Sequence, residues 1–283
     1  MTIPDYLVIG TITKDLLADG FTIGGTATYA AATAQRLGKR PAIVTSAEAG
    51  LIWPDFLADV QIVSAPSQAT TTFRNVYTDG LRQQYISARC DPIGPEAIPV
   101  EWRQAPLVHL GPLVGEMDES LVHLFPDSLV MATPQGWLRS WDDTGRISMR
   151  AWTCSELLLP HLAALILSEH DVHGDYSCIK HCVSLTRTVV VTQGPRGATV
   201  YHGGQVRHFP ARPAQEVDPT GAGDVFAAAF FIRLHEARQD LGHEDPWEAA
   251  RFANVVASFS VEGPGPSAIP SREQVAAYLA RTA

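Results

Sequence analysis

The chain has 283 residues, 46% of them hydrophobic and 18% charged, with a formal net charge of −9. That is room for one large α/β domain with enough apolar material for a core, which excludes a disordered chain. No basic block stands against the negative charge, so nucleic acid is excluded as the main partner, and the longest apolar run, Val225 to Ile232, is far short of the ~20 residues of a membrane span.

The opening MTIPDYLVIG has no basic stretch ahead of its apolar run and does not read as a signal peptide. We expect a soluble, cytoplasmic protein with neither a membrane nor a nucleic-acid partner. Apolar runs of strand length follow at 6–10, 42–46, 107–111, 129–133, 164–168 and 189–194. Runs apolar on both faces suit parallel strands covered by helices. Helical stretches between and after them are predicted at 26–37, 118–125, 171–183, 221–237, 246–261 and 271–281. The alternation predicts an α/β fold with a doubly wound, mostly parallel sheet, which binds ligands at the carboxyl ends of its strands.

Two stretches break the alternation. LLADGFTI (16–23) and TFRNVYTDGLRQQYI (72–86) each set an Asp-Gly between alternating apolar and polar residues, a hairpin signal. Paired, they would make a small β-hairpin lid from about 12–24 and 70–88 on a single domain spanning 1–283. The alternative is two independent surface hairpins. Cys178 and Cys182 lie one helical turn apart with His173 and His181 nearby, but the spacing fits no usual zinc pattern and reads better as a shared helix face.

The stretch QEVDPTGAGD (215–224) runs straight into VFAAAFFI. It reads as a strand end, a turn, and a helix beginning near Gly221. With Gly221, Ala222 and Gly223 there, the first-turn N–H groups are left uncovered, and with the helix dipole they make an anion seat. Asp224 then sits where a carboxylate can take the proton of a hydroxyl beside that anion. The stretch is not a Walker A loop, for no Gly-Lys-Ser/Thr follows, nor the dinucleotide fingerprint, which needs a third glycine.

DPTGAGD resembles the C-terminal signature of the PfkB, or ribokinase-like, carbohydrate kinases, and the resemblance extends over essentially the whole chain. VIGTITKD (8–15) is similar to that family's first strand, which implies that Asp15 holds substrate hydroxyls. IGGTATYAAATAQRLG (23–38) resembles its Gly-Gly motif, which implies that Gly24 and Gly25 lie near the substrate. VVVTQGPRGA (189–198) is similar to the family's strand and turn beside the nucleotide, which implies that Thr192 and Gly194 lie there, and RFANVVASFSVEGPGPSAIPSREQV (251–275) resembles its C-terminal segment flanking the adenine, with Asn254 in the matching position. Where many members have a sugar-contacting asparagine, this chain has Tyr29. The family's Asn-x-x-Glu motif, linked to magnesium through water, appears as SEHD, with Ser168 and Asp171. ATPQGWLR (132–139) resembles a strand end that usually begins with Asp; Thr133 stands there instead, and Gln135 and Arg139 remain as polar contacts. Wording such as ISARCDPIGPEAIP and HLGPLVGEMD is most similar to the branch containing myo-inositol kinases.

The resemblance implies an ATP-dependent kinase for a hydroxyl of a small sugar or cyclitol, myo-inositol first, using Mg²⁺ and allowing K⁺ near Asp218. Asp224 would be the base, Gly221–Gly223 the phosphoryl cradle, and Arg139 an added positive charge. A kinase for a nucleoside, a ribose- or fructose-type sugar or a sugar phosphate is the first alternative. Lys14, Arg74, Arg82 and Arg89, cations in or near the hairpins, would suit a phosphorylated acceptor, or else are solvated surface charge. A ligand-binding regulatory protein without turnover is the alternative of another class. The expected assembly is a monomer or homodimer.

Overall fold

The computed structural model describes residues 1–78, 81–152, 155–172 and 174–282. In chain order the first half forms β1 (Tyr6–Gly10), β2 (Thr13–Leu16), β3 (Phe21–Gly24), α1 (Thr26–Arg36), β4 (Pro41–Glu48), β5 (Gln61–Ser67), β6 (Thr72–Thr78) and β7 (Leu81–Ala88). Then come β8 (Leu107–Gly111), β9 (Leu129–Ala132), β10 (Arg139–Trp141), β11 (Ile147–Met149) and the short α2 (Ser155–Leu158). The remainder is β12 (Ala164–Ser168), α3 (Tyr176–Leu185), β13 (Thr188–Thr192), β14 (Ala198–His202), β15 (Gln205–Phe209), α4 (Ala222–Leu241), α5 (Pro246–Ser260) and α6 (Arg272–Thr282).

Among these, a nine-stranded sheet runs in the order β15-β14-β13-β12-β9-β8-β1-β4-β5. Strands β5 through β13 in that row pair in parallel, and only β14 and β15 turn back antiparallel. Strands β1 and β8 are buried on both faces, as their unbroken apolar runs require. One face packs on α1, α4 and α5 through Tyr6, Val8, Met131 and Ile166; the other packs on α3 and short 3₁₀ turns through Leu7, Ile9, Val130 and Leu165. No helix among the described residues is long and apolar enough to cross a membrane.

A second sheet, β3-β2-β6-β7, stands apart from the first. β2 and β3 are the first hairpin, β6 and β7 the second, and β2 joins them by pairing in parallel with β6. The two hairpins therefore do share one small sheet, although the second Asp-Gly, residues 79–80, lies outside the described residues. A further hairpin, β10–β11, meets its edge where the Ile86 N–H donates to the Gly145 carbonyl.

Most expected elements lie within a few residues of their predicted places, with two corrections. The segment expected as a helix at 118–125 is a 3₁₀ turn, Glu119–Leu124, because Pro126 disfavours α geometry at Phe125 and leaves too few residues to propagate a helix. The helix expected from 171 begins instead at Tyr176, where Asp175 caps it by accepting the Ser177 N–H. Residues 168–171 are held in a turn of their own. In α3, Cys182 is buried, while His181 Nε2 lies 3.2 Å from Ser155 Oγ. Among the described residues no group of three or more His, Cys, Asp or Glu is placed to hold a metal.

Candidate active site

The carboxyl ends of β1, β8, β9, β12 and β13 point to one edge of the large sheet, and the Asp218–Gly221 turn meets them there at the head of α4. Asp218 shapes this turn: one carboxylate oxygen accepts the Thr220 N–H at 2.9 Å, the other the Gly265 N–H at 3.0 Å. Gly221 has φ +76°, a conformation that costs L side chains but not glycine. A Cβ on it would also run into the ring of Tyr29. At Gly223 the same construction meets nothing within 4 Å. No side chain caps α4, so its first turn faces open space with the dipole behind it. That is a seat for an anion.

Asp224 lies in this first turn. Thr26, the first residue of α1, donates its hydroxyl to Asp224 Oδ1 at 2.8 Å and fixes the carboxylate. Burial pushes the Asp224 pKa up from 3.8 to about 6, and the neighbouring carboxylates of Asp171 and Asp15 push the same way; the Thr26 hydrogen bond and Arg139 oppose them. These influences tie together residues from β2, α1, β10, the turn after β12 and α4. Five separate parts of the sequence meet around one carboxylate.

Gly24 and Gly25 make this meeting possible. A Cβ on Gly24 would strike the Asp15 carboxylate, and one on Gly25, at φ +92°, would strike the Thr11 carbonyl. Asp15 sits on β2 within the small sheet, 3.3 Å from the Thr13 hydroxyl that donates to it. Asp171 accepts the Ser168 N–H at 2.8 Å through one oxygen and the Gln135 amide at 3.2 Å through the other. Arg139 donates to the Leu113 carbonyl at 3.4 Å and stands over the Phe73 ring. The loop that presents Leu113 is itself held by the buried Glu116, which accepts the Leu113 and Val114 N–H groups and the Thr11 hydroxyl.

Two expectations change. Tyr29 is only 5% exposed and lies beneath Gly221, so its ring floors the glycine turn where a substrate contact was expected. Burial, then Asp218, Asp224 and Asp15, drives its hydroxyl pKa up and keeps it a neutral phenol. Asn254 is 4% exposed and donates to the Phe209 carbonyl at 2.9 Å; it ties α5 to β15 and does not open to the cleft. Thr192 and Gly194 do lie at the open edge, at the end of β13 and in the turn after it.

The candidate phosphate-binding cations are otherwise engaged: Lys14 pairs with Glu48, Arg74 stacks over Tyr85, and Arg89 stacks over Trp141 and donates to the Gly115 carbonyl. The Arg82 side chain and His173 lie outside what the structure describes. Sequence reasoning passed over Thr26 and Glu116, which carry no local signal. It also passed over a chain formed by Tyr6, His109 and Thr133: Tyr6 Oη lies 2.7 Å from His109 Nδ1, and His109 Nε2 lies 3.0 Å from Thr133 Oγ1. Burial drives the His109 pKa down to about 3, so this imidazole is neutral.

A magnesium ion fits the donor set around Asp171. Each of its oxygens receives one protein hydrogen bond and keeps a lone pair free, and Mg²⁺ in phosphoryl-transfer sites takes one or two carboxylates, with water and phosphate supplying the rest.

The sheet order, the small second sheet and the glycine turn together define a ribokinase-fold protein. A solved structure described as a pyrophosphate-dependent kinase in the ribokinase family, complexed with a pyrophosphate analog and myo-inositol, superposes with a TM-score of 0.79 at 22% identity, over 96% of this chain and 99% of that one. Residues 163–273, which contain the turn and α4, match the model for the pfkB family of carbohydrate kinases. The inositol 3-kinase of Zea mays is 27% identical over 256 residues, 81% of this chain and 66% of that protein's own length. The cytidine kinase of Thermococcus kodakarensis is also 27% identical over 256 residues, 83% of this chain and 90% of that one. The C-terminal part of the chain, residues 163–273, is thus similar to the pfkB family of carbohydrate kinases.

Proposed function

We propose that the protein transfers the γ-phosphoryl group of ATP to a hydroxyl of a small neutral polyol, with myo-inositol the first candidate. The observation that carries this reading is Asp224. It is a carboxylate with its pKa raised to about 6, oriented by Thr26 and set in an uncapped helix turn open to an anion. A mere anion site has no use for a carboxylate, which repels the anion. A phosphotransferase needs one as a base.

In this mechanism Asp224 takes the proton from the attacking hydroxyl. The first-turn N–H groups of α4 receive the negative charge of the transferring group, and Arg139 adds to that field. Asp171, and Ser168 through water, would hold Mg²⁺, which supplies charge neutralisation at the phosphates when bound. Asp15 accepts hydrogen bonds from the acceptor's other hydroxyls and, as an anion, disfavours an acceptor already phosphorylated nearby. The sheet of β2, β3, β6 and β7 serves as the lid that keeps water from competing as acceptor.

The myo-inositol assignment draws support from the Zea mays relative, named an inositol 3-kinase, against an equally similar relative named a cytidine kinase. The test is a steady-state panel of myo-inositol, ribose, fructose, cytidine and fructose 6-phosphate, with ATP as donor and pyrophosphate as a control donor. The highest kcat/KM is expected for myo-inositol with ATP. A higher value for fructose 6-phosphate would overturn the neutral-acceptor assignment, and a higher value with pyrophosphate would overturn the donor.

A further inference from the structure

We infer that Thr133 donates a hydrogen bond to an oxygen of the acceptor substrate, with the direction of that bond set from behind by Tyr6 and His109. The inference rests on the kinase reading above for what fills the cleft, but not for its hydrogen-bond polarity.

The three residues lie on the α1/α4 face of the large sheet. His109 on β8 packs edge-on against Phe231 of α4, at a centroid separation of 4.9 Å. Thr133 follows the end of β9 and is half-buried at the edge where the strands end. Gly111 marks how near this chain runs to the base: a Cβ there would meet Thr26 Cγ2 and lie 3.5 Å from His109 Nε2. Thr26 is the residue that orients Asp224.

A neutral imidazole carries one N–H, so the chain has two possible polarities. If the proton sits on Nδ1, it donates to Tyr6 Oη, and Thr133 must spend its own hydroxyl hydrogen on Nε2. Among the described residues the Tyr6 hydroxyl hydrogen then has no acceptor, in a side chain that is 0% exposed. If the proton sits on Nε2, Tyr6 donates to Nδ1 and His109 donates to Thr133 Oγ1. Every buried group is then satisfied, and the single hydrogen left over belongs to Thr133, which faces the cleft. Leaving a buried hydroxyl unpaired is strongly disfavoured against leaving one at a wet edge. The second polarity is therefore the one the fold selects.

The consequence is a complementary pair. Asp15 can only accept hydrogen bonds from the substrate, whereas Thr133 arrives with its acceptor side occupied and a proton to give. A polyol meets both demands, because each hydroxyl offers a proton and lone pairs. Tyr6 and His109 are positioning residues in this scheme, acting on the substrate only through Thr133.

Nitrogen-15 NMR of histidine-labelled wild-type protein reads the tautomer without any substrate. The expected result is a neutral His109 with its proton on Nε2; a proton on Nδ1 overturns the inference. In the acceptor panel, Thr133→Val is expected to lower kcat/KM for the best acceptor about three- to tenfold, with Thr133→Ser restoring it. Tyr6→Phe is expected to lower it as well, mainly through KM, although Tyr6 touches no substrate. Unchanged kcat/KM in a folded Thr133→Val overturns the inference. If Thr133→Val does not fold, the NMR result and the Tyr6→Phe kinetics decide. If no acceptor is phosphorylated at all, the kinase reading falls on its own. Calorimetric binding of the same polyols to wild type and Thr133→Val then decides the donor role, weaker binding supporting it and equal binding refuting it.

Discussion

Replacing Asp224 by asparagine should cripple turnover and stabilise the fold, and the two effects come from one cause. The carboxyl is displaced from 3.8 to about 6, chiefly by burial, which corresponds to about 3 kcal/mol borne by the folded protein once the group is ionised. The sign follows from linkage. A carboxyl whose folded pKa lies above its unfolded value leaves stability intact below pH ~4, erodes it between ~4 and ~6, and leaves the full deficit above that. Asparagine keeps the oxygen that accepts from Thr26 and removes the charge. Because Asp224 is partly open to solvent and the amide must itself be desolvated, ~1–2 kcal/mol of stabilisation is expected at pH 8. Thermal melts across pH 4–8 would show the variant and wild type converging at the acid end and separating as pH rises. Loss of the base should lower kcat by roughly 10²–10⁴-fold. A variant that melts lower than wild type at pH 8, or retains turnover within tenfold, would refute the assignment of Asp224 as a desolvated base.

Gly223→Ala places its methyl in open space in a helix, so its melting temperature should hold or rise slightly while turnover collapses, since the methyl occupies the anion's place. Gly221→Ala should do the reverse and destabilise by at least about 2 kcal/mol, because the backbone is left-handed there and the Tyr29 ring fills the space; denaturant unfolding separates the two. Arg139→Gln removes a cation that lowers the Asp224 pKa, so the acid limb of kcat/KM, set by protonation of the base, should move to higher pH; an unmoved limb would detach Arg139 from the base. Glu116→Gln puts an amide NH₂ among donors from Leu113, Val114 and Thr11 and should lower stability by about 3 kcal/mol in the same unfolding assay.

The large sheet was legible because its strands are buried on both faces and therefore apolar without interruption, as YLVIG and LVHLG are. The edge hairpin of β14 and β15 was missed for the complementary reason: it is half solvated, and QVRHF offers no apolar run. Within the site, Gly221 to Asp224 could be read because the needed groups are consecutive. Thr26 could not, since its partner is 198 residues away and threonine at the start of a helix is ordinary. Tyr29 was misplaced because a sequence shows that an asparagine is gone but not that a ring has moved under a glycine 192 positions later. Asn254 shows the same limit: its amide is spent on Phe209, a partner that only the antiparallel return of β15 brings near.

Asp15 stands on β2 of the small sheet and Asp224 on α4, yet the charge of Asp15 helps raise the pKa of Asp224. The acidity of the base is accordingly not a property of α4 alone. It depends on where the small sheet stands, for that sheet carries Asp15 on β2 and sets Phe73 of β6 beneath Arg139, which opposes it. Drawing the small sheet inward over a substrate would bring Asp15 closer and strip water from the cleft, both of which make Asp224 a stronger base. Moving it outward would weaken the base and open the door to water together. The same displacement that admits a competing acceptor thus turns down the group that would activate it.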